Sequence, residues 1–182
     1  MTLLIPDGEV QRLVDDVAKH LPRTGRLGVA YSGGVDSAVL LAISQYVLGP
    51  ERTLAITAVS PSLASRERAL AADTADYSGA RHLAGYKAND VDRFYFCKNE
   101  MFNRIDDSVI SEYGLAAVAY GENADDTKRI DRPGARAATE HNVLRPLSDA
   151  GLTKADVRLV ARAFGLPVAD KPAAPCLASR IP

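Results

Sequence analysis

Two patterns of apolar residues alternate along this chain of 182 residues, and their alternation constrains the fold more than any other feature. Short apolar runs of strand length are separated by longer segments in which apolar residues recur at helical spacing or alanine is abundant. The predicted strands are 26–31, 53–59, 80–86, 115–121 and 142–147. The predicted helices are 8–21, 37–48, 61–79, 97–114 and 152–165. Strands that alternate with helices predict an α/β fold built on a parallel sheet.

The last predicted helix carries its own start and stop signals. Thr153 and Asp156 have the spacing of a capping box, in which each side chain accepts a hydrogen bond from the other residue's backbone. Gly165 is a typical stop.

The composition excludes several classes of protein. A length of 182 residues suits about one domain, and 47% hydrophobic with 25% charged residues is typical of a globular protein. The net charge of −1 excludes a globally basic nucleic-acid binder. No apolar run reaches the length of about 18 residues that a transmembrane helix needs, and the N-terminus does not resemble a signal peptide. We therefore expect a cytoplasmic protein that binds neither a membrane nor nucleic acid.

A glycine-rich turn, Ser-Gly-Gly-Val-Asp-Ser, stands between the first predicted strand and the second predicted helix. Glycines allow backbone N–H groups to approach an anion, and a helix N-terminus favours negative charge. The serine hydroxyls add donors, and the aspartate is suited to a magnesium ion bound to the same phosphates. The sequence therefore predicts a phosphate site formed by Ser32, Gly33, Gly34, Asp36 and Ser37. The alternative is a tight turn in which serine and aspartate cap the helix.

Other residues are expected near this turn, because ligands of parallel α/β sheets bind outside the carboxyl ends of the strands. Three segments are expected to meet there: 32–37, 121–134 and the stretch around Lys154. Lys154 lies in the first turn of its helix, where a positive charge opposes the helix dipole, so a pyrophosphate contact and a solvated lysine are both open. Arg132 is suited to bidentate binding of an anionic substrate. A solvated loop of mixed charge is the alternative for 121–134.

The two cysteines differ in their surroundings and match no metal-site or disulfide spacing. Cys97 stands among aromatic residues and is interpreted as a small buried hydrophobe. Cys176 follows two prolines and is predicted to lie on a loop, where Arg180 could stabilise its thiolate. The residues alone favour a core cysteine here too, with a reactive thiol as the alternative.

The turn at 32–37 resembles the pyrophosphate loop of the ATP pyrophosphatase superfamily, also called the PP-loop superfamily. The resemblance implies a Rossmann-like adenine nucleotide alpha hydrolase fold, with about five parallel strands and helices on both faces. It also implies that ATP is cleaved between its α- and β-phosphates, so that a substrate oxygen is adenylylated and then displaced by a nucleophile. The motif is shared across the superfamily and selects no single reaction.

Further stretches resemble one branch, the LarE family of ATP-dependent sacrificial sulfur transferases, which help to make the nickel-pincer cofactor of lactate racemase. The resemblance runs from about residue 8 to the last residue of the sequence, and its most specific parts are RPGARAA and KPAAPCLASRIP. The stretches occur in order: AVSPSLASRE (58–67), FYFCKNEMF (94–102), GENADD (121–126), DRPGARAATEHNVLRPL (131–147), GLTKADVR (151–158) and DKPAAPCLASRIP (170–182).

This resemblance implies roles for individual residues. Cys176 matches the family's sulfur donor. Gly121, Asn123 and Asp126 match a motif at the nucleotide–metal site, with Asp36 and Asp126 as ligands of Mg²⁺. The implied cofactors are ATP and Mg²⁺, and the implied substrate is a small nucleotide-like carboxylate, a pyridinium biscarboxylate mononucleotide.

The resemblance also implies a two-stage reaction, adenylylation of a carboxylate followed by transfer of cysteine sulfur to give a thiocarboxylate. Two alternatives are an ammonia-dependent amide-forming synthetase and a non-catalytic ATP-binding module. A tRNA thiolase is disfavoured, because neither a paired-cysteine zinc site nor a basic bias is present. Residues 1–182 are interpreted as the ATP domain, with the family's C-terminal substrate domain absent from this chain, and a homo-oligomer is expected.

Overall fold

The computed structural model describes residues 8–59, 65–79, 81–87, 110–127 and 143–172. Within these ranges, four strands form one sheet: β1 (Arg26–Ala30), β2 (Thr53–Val59), β3 (Arg81–Lys87) and β4 (Leu115–Tyr120). The helices are α1 (Gly8–Ala18), α2 (Val35–Leu48), α3 (Ser65–Ser78), α4 (Ile110–Tyr113), α5 (Ala124–Thr127), α6 (Pro146–Asp149) and α7 (Lys154–Ala163). One turn of 3₁₀ helix, Pro50–Arg52, connects α2 to β2.

The strand order in the sheet is β3-β2-β1-β4, and each neighbouring pair is parallel. Because β1 lies between β2 and β4, the chain leaves the centre of the sheet in one direction, and later crosses β1 to add β4 on the other side. The predicted parallel α/β fold is confirmed. A reversal of direction at β1 is where ligands bind in sheets of this kind, outside the carboxyl ends of the strands.

Hydrophobic residues cover both faces of the sheet. On one face, Leu27 and Val29 of β1 join a core with α1, α2 and α7, in which Phe164 is fully buried. On the other face, Ala30 and Ile56 pack with residues of β4 and of the short helix α4. The alternation of β1 side chains between two cores is the pattern of a strand buried on both sides. Helices on both faces, as predicted, are therefore confirmed.

The prediction of a fifth strand at 142–147 is wrong for the residues that the structure describes. Leu144 alone forms a parallel bridge, with Ala119. Its amide donates to the Val118 carbonyl at 2.8 Å, and its carbonyl accepts from the Tyr120 amide at 3.1 Å. Pro146 then begins α6, because a proline lacks the N–H that would continue the ladder and is well suited to the first turn of a helix.

Where both can be compared among the described residues, the predicted helix boundaries lie within three residues of those in the structure. The capping box of α7 is confirmed: the Thr153 amide donates to Asp156 Oδ2 at 2.8 Å, and the Asp156 amide donates to Thr153 Oγ1 at 3.3 Å. Of the helix predicted at 97–114, residues 97–109 lie outside the described ranges, and 110–113 are helical. None of the described helices is long and apolar enough to cross a membrane.

Candidate functional site

The loop between β1 and α2 folds back on itself. Gly33 has a φ of 71°, a left-handed conformation that glycine adopts without steric cost. The hydroxyls of Ser32 and Ser37 lie 3.1 Å apart across the loop. Ser37 Oγ also donates to the Gly34 carbonyl at 3.0 Å and accepts from the Ser32 amide at 3.3 Å. The two serines that sequence analysis assigned to the phosphate site therefore lie together at the start of α2.

The alternative in which serine or aspartate caps α2 does not hold. The N-cap of this helix is Gly34, which has no side chain that could bind the amides of the first turn. Asp36, in that first turn, directs its carboxylate to other elements instead. The positive end of the helix therefore faces the loop that was predicted to hold phosphate.

Asp36 joins three parts of the chain. Its Oδ2 accepts from Lys154 Nζ at 2.6 Å, and its Oδ1 accepts from Asn123 Nδ2 at 3.1 Å. The Lys154 and Asp36 side chains are 34% and 21% exposed, so this ion pair is open to exchange with a ligand from solvent. The predicted meeting of the loop with Asn123 and Lys154 is therefore present in the structure.

Lys154 carries a positive charge at the N-terminus of α7, where it opposes the helix dipole, and two carboxylates offset this charge. In addition to the ion pair with Asp36, its backbone amide donates to Asp125 Oδ2 at 2.9 Å, which places a negative charge at the N-terminus of α7. The conflict had suggested a phosphate as the compensating group. In the structure Asp36 and Asp125 fulfil that role, and a role for Lys154 in binding pyrophosphate stays a prediction.

Asn123 connects the loop to a second carboxylate. It is 2% exposed, and its Nδ2 donates to Asp126 Oδ2 at 2.8 Å as well as to Asp36. Its Oδ1 accepts from the amides of Asp125 and Asp126 at 3.0 and 3.2 Å, which holds the first turn of α5. One buried amide thus fixes Asp36 and Asp126 relative to each other.

Gly121 brings the end of β4 against the phosphate loop. A Cβ atom at this position would lie 2.6 Å from the Ser37 amide nitrogen and 2.8 Å from its Cα. Real Cβ atoms do not approach backbone so closely, so the contact requires glycine. The sequence placed Gly121 at the nucleotide site by resemblance, and the structure shows that it packs directly against the loop.

Two residues near the site were not singled out by sequence analysis. Glu122 stands in a segment that had been open to interpretation as a solvated loop, yet it is only 3% exposed and accepts a hydrogen bond from the Tyr120 hydroxyl. Burial, and then Glu122, raise the pKa of Tyr120 above its ordinary value. Tyr120, two residues earlier at the end of β4, was the signal available. For the other residue, Lys171, whose Nζ donates to the Gly33 carbonyl at 3.3 Å, the sequence carried no local signal.

Several predicted residues lie outside the described ranges: Arg132, Cys176, Arg180 and the second cysteine, Cys97. Their assignments stay predictions. Among the described residues, no group of three or more His, Cys, Asp or Glu side chains is arranged to hold a metal ion.

The sequence of this chain matches a known protein family. The sequence profile described as asparagine synthase matches residues 10–119, which is more than half of the chain. The match includes the loop, strands β1 to β3, and all of β4 except its last residue. The chain belongs to the asparagine synthase family, within the ATP pyrophosphatase superfamily. The predicted superfamily is confirmed. Membership of this ATP-using family implies that ATP is used here.

Two relatives are similar in sequence to most of this chain. The chain is 39% identical over 178 residues to an uncharacterized protein of Synechocystis, slr1717, covering 93% of this chain and 65% of that protein. It is 32% identical over 169 residues to the pyridinium-3,5-bisthiocarboxylic acid mononucleotide synthase of Lactiplantibacillus plantarum, covering 86% of this chain and 59% of that enzyme. The chain thus spans about three fifths of the length of these two relatives.

A solved structure shows the same fold. NMN synthetase from Francisella tularensis superposes with a TM-score of 0.67 over 96% of this chain and 76% of that one. The sequence identity is 18%, so this likeness supports the fold alone.

Proposed function

We propose that this chain is the ATP-binding part of a sulfur transferase that adenylylates a substrate carboxylate and then supplies cysteine sulfur to it. The observation that carries the proposal is the meeting of Asp36, Asn123 and Lys154 at the open phosphate loop. The similarity to the bisthiocarboxylic acid mononucleotide synthase favours sulfur chemistry and a pyridinium biscarboxylate mononucleotide as the substrate.

ATP would bind with its phosphates against residues 32–37. The first turn of α2 begins there without a side-chain cap, and the serine hydroxyls can rotate to donate to phosphate oxygens. Lys154 would exchange its contact with Asp36 for a contact with pyrophosphate oxygens as negative charge develops on them. Donors already in place lower the barrier, because they need little reorganisation when the charge moves.

Mg²⁺ fits the carboxylates of this site. Asp36 and Asp126 are bridged by a single amide group, and both offer the hard oxygen ligands that Mg²⁺ prefers. Mg²⁺ is commonly held by one or two carboxylates together with substrate phosphates, so a protein cage of three or more ligands is not required. When bound, the ion would neutralise phosphate charge and orient the α-phosphate. We propose Asp36 as its main protein ligand and Asp126 as the second.

In the first stage, a substrate carboxylate oxygen attacks the α-phosphorus of ATP. The P–O bond to the β-phosphate breaks, its electron pair leaves with pyrophosphate, and an acyl adenylate remains. The contribution of the chain is to hold the phosphates in line and to stabilise the leaving group through Ser32, Ser37 and Lys154. We propose Arg132 as the residue that binds the anionic substrate.

In the second stage, the Cys176 thiolate attacks the acyl carbon and AMP leaves, which gives a thioester. A base then removes the cysteine Hα and the Cβ–S bond breaks, leaving a thiocarboxylate on the product and dehydroalanine in the chain. Covalent geometry supports the assignment: Lys171 contacts the loop, and the five residues from it to Cys176 can span at most about 18 Å. Arg180 is proposed to stabilise the thiolate.

Intact-protein mass spectrometry tests this function. The chain is incubated with ATP, Mg²⁺ and the pyridinium biscarboxylate mononucleotide, and pyrophosphate is measured in parallel. Loss of the elements of H₂S lowers the mass by about 34 Da, whereas oxidation of the thiol raises it. We expect that decrease at Cys176 in the parent chain and in the control Cys97→Ala. In Cys176→Ala we expect pyrophosphate release without the decrease.

Two outcomes would contradict the proposal. Repeated turnover with an unchanged protein mass would exclude sacrifice of the cysteine, and amide formation on addition of ammonia would then assign a synthetase. Binding of ATP without AMP formation in the presence of the substrate would assign a non-catalytic module.

A further inference from the structure

Lys171 reaches the phosphate loop from the far end of the described chain. Its Nζ donates to the carbonyl of Gly33 at 3.3 Å, across 138 positions of sequence. Gly33 is the residue whose left-handed conformation turns the loop. A second lysine therefore approaches this loop, on the backbone of Gly33, while Lys154 is bound to Asp36.

The backbone around Lys171 is held in place by α7. Arg158 Nη1 donates to the Ala169 carbonyl at 2.8 Å, and its Nη2 donates to the Lys171 carbonyl at 3.1 Å. The Lys171 amide donates to the Val168 carbonyl at 3.1 Å. These bonds fix the main chain on both sides of the side chain, so the ammonium group is presented to the loop from a fixed base.

The two lysines differ in their partners. Lys154 is neutralised by a carboxylate at 2.6 Å, whereas Lys171 is bound to a neutral carbonyl. In the part of the chain that the structure describes, no carboxylate forms an ion pair with Lys171. An ammonium group has three donors, and a single carbonyl engages one of them. Lys171 thus brings donors and a positive charge without a matched anion to the edge of a loop suited to phosphate.

We propose that Lys171 is a second phosphate-binding cation of this site, which binds oxygens of the ATP polyphosphate, and of the pyrophosphate product, together with Lys154. The proposal rests on the proposed function, because it assigns a further residue to the same nucleotide site. Binding to phosphate would satisfy the donors that Gly33 does not use. It would also neutralise a charge that otherwise faces a solvated loop edge.

The test measures binding of three probes by calorimetry: ATP with Mg²⁺, pyrophosphate with Mg²⁺, and adenosine. A hydrogen bond to a charged group corresponds to roughly a ten- to hundredfold change in affinity. We expect Lys171→Met to weaken ATP and pyrophosphate by about that factor and to leave adenosine unchanged. Lys171→Arg, which retains the charge, is expected to recover most of the phosphate affinity.

Arg162→Met is the matched control. Arg162 belongs to the same region and pairs with Asp170 at 2.8 Å, but it is 58% exposed and makes an ion pair on the surface. Its removal is expected to change no probe's affinity by more than about twofold. Lys171→Gln serves if the methionine variant does not fold, because glutamine retains a neutral donor for the Gly33 carbonyl.

The outcomes separate this inference from the proposed function. If the parent chain binds neither ATP nor pyrophosphate, the proposed function fails. If the parent binds them and folded Lys171→Met or Lys171→Gln binds them equally well, the inference alone is wrong. An equal loss of adenosine and phosphate binding would also overturn it, since that pattern means that Lys171 only supports the shape of the loop.

Discussion

The two ends of the sheet use cations in different ways. At the amino ends of the strands, arginines donate to backbone carbonyls of the connecting turns: Arg26 Nε to Glu51 at 3.0 Å, and Arg52 Nε to Gly25 at 2.9 Å. At the carboxyl ends, Lys154 binds the side chain of Asp36 at 2.6 Å. The two arginines at the amino end therefore bind main chain, whereas Lys154 at the carboxyl end binds a side chain.

This difference indicates at which end of the sheet a side chain can exchange its partner for a ligand. A carbonyl of a turn has no other partner unless water replaces the arginine, so the amino-end bonds stabilise the fold. A lysine–aspartate pair that is partly exposed can dissociate when a phosphate and a metal ion offer new partners to each member. We therefore expect substitutions at the carboxyl end to change function more than stability, and substitutions at the amino end to do the reverse.

The largest expected effect is that of Asp36→Ala on pyrophosphate release. The variant removes the proposed main ligand of Mg²⁺, and the rate is expected to fall by about a hundredfold or more. The free energy of unfolding is expected to change by only about 1 kcal/mol, because the lost ion pair is partly exposed. Release is measured with ATP, Mg²⁺ and substrate, and unfolding with urea.

Asp16→Ala is the control for this comparison, since Asp16 of α1 forms an exposed ion pair with Lys19, the residue after that helix. It should leave pyrophosphate release unchanged. A folded Asp36→Ala variant that retains the parent rate would remove Asp36 from the site and the carboxyl end from the reaction.

Gly121→Ala should affect both properties, because this residue connects the fold to the loop. The added Cβ would collide with the backbone of Ser37 and displace either β4 or the loop. Overpacking of this kind costs about 1–3 kcal/mol of the free energy of unfolding, and displacement of the loop should also weaken ATP binding. Gly8→Ala is the control, because a Cβ added at Gly8 would meet no atom within 4 Å. Parent-like ATP affinity in Gly121→Ala would show that the loop tolerates the shift.

Local sequence signals predicted most of the fold. The strands β1, β2 and β4 follow from apolar runs, and the α7 start follows from Thr153 and Asp156, because each of these depends on residues close in the chain. The prediction of a fifth strand was wrong for a local reason, because Pro146 begins a helix. A proline suits the first turn of a helix and cannot donate to a strand ladder, so Pro146 is itself a local signal against a strand.

The partners within the site depend on contacts that no local pattern encodes. Asp36 and Lys154 are 118 positions apart, and Gly33 and Lys171 are 138 apart. The topology of a parallel sheet predicts that such segments meet at the carboxyl ends, but not which atoms pair. Lys154 illustrates the difference: its position predicted an anionic partner, and only the structure shows that the partner is Asp36.

Arg52→Met tests the amino end and is expected to show the reverse of the Asp36 result. The variant leaves the carbonyls of Gly25 and Pro22, which accept from Arg52 at 2.9 and 3.1 Å, without their partner. A loss of about 1–2 kcal/mol is expected in the free energy of unfolding, with ATP affinity unchanged. Arg12→Met, at an exposed position on α1, is the control. A weakened ATP affinity at parent stability would mean that the two ends are not independent.

The smallest effect on the free energy of unfolding is expected for a substitution of His82, whose ring contacts Tyr31, the residue before the phosphate loop. Thr57 Oγ1 donates its single proton to the Tyr31 carbonyl at 2.9 Å. His82 Nε2 lies 2.8 Å from the same hydroxyl oxygen, so this nitrogen carries a proton and donates it to Thr57. The ring also meets Tyr31 edge-on, at a centroid distance of 6.0 Å. Because Tyr31 leads directly into Ser32, this chain of contacts supports the loop from within the fold.

Burial lowers the pKa of His82 below its ordinary value, against a smaller opposing effect of Asp76. Between the lowered pKa and the ordinary value of about 6.5, the unfolded chain binds more protons than the folded chain, so the free energy of unfolding decreases as the pH falls through this window. Urea unfolding at about pH 7.5 and about pH 5.5 should show this decrease in the parent chain, and a smaller one in His82→Gln, which retains a donor for Thr57. The same decrease in both chains would assign it to other groups. ATP affinity at the higher pH should be equal in the two, because His82 supports the loop in its neutral form and glutamine supplies the same hydrogen bond.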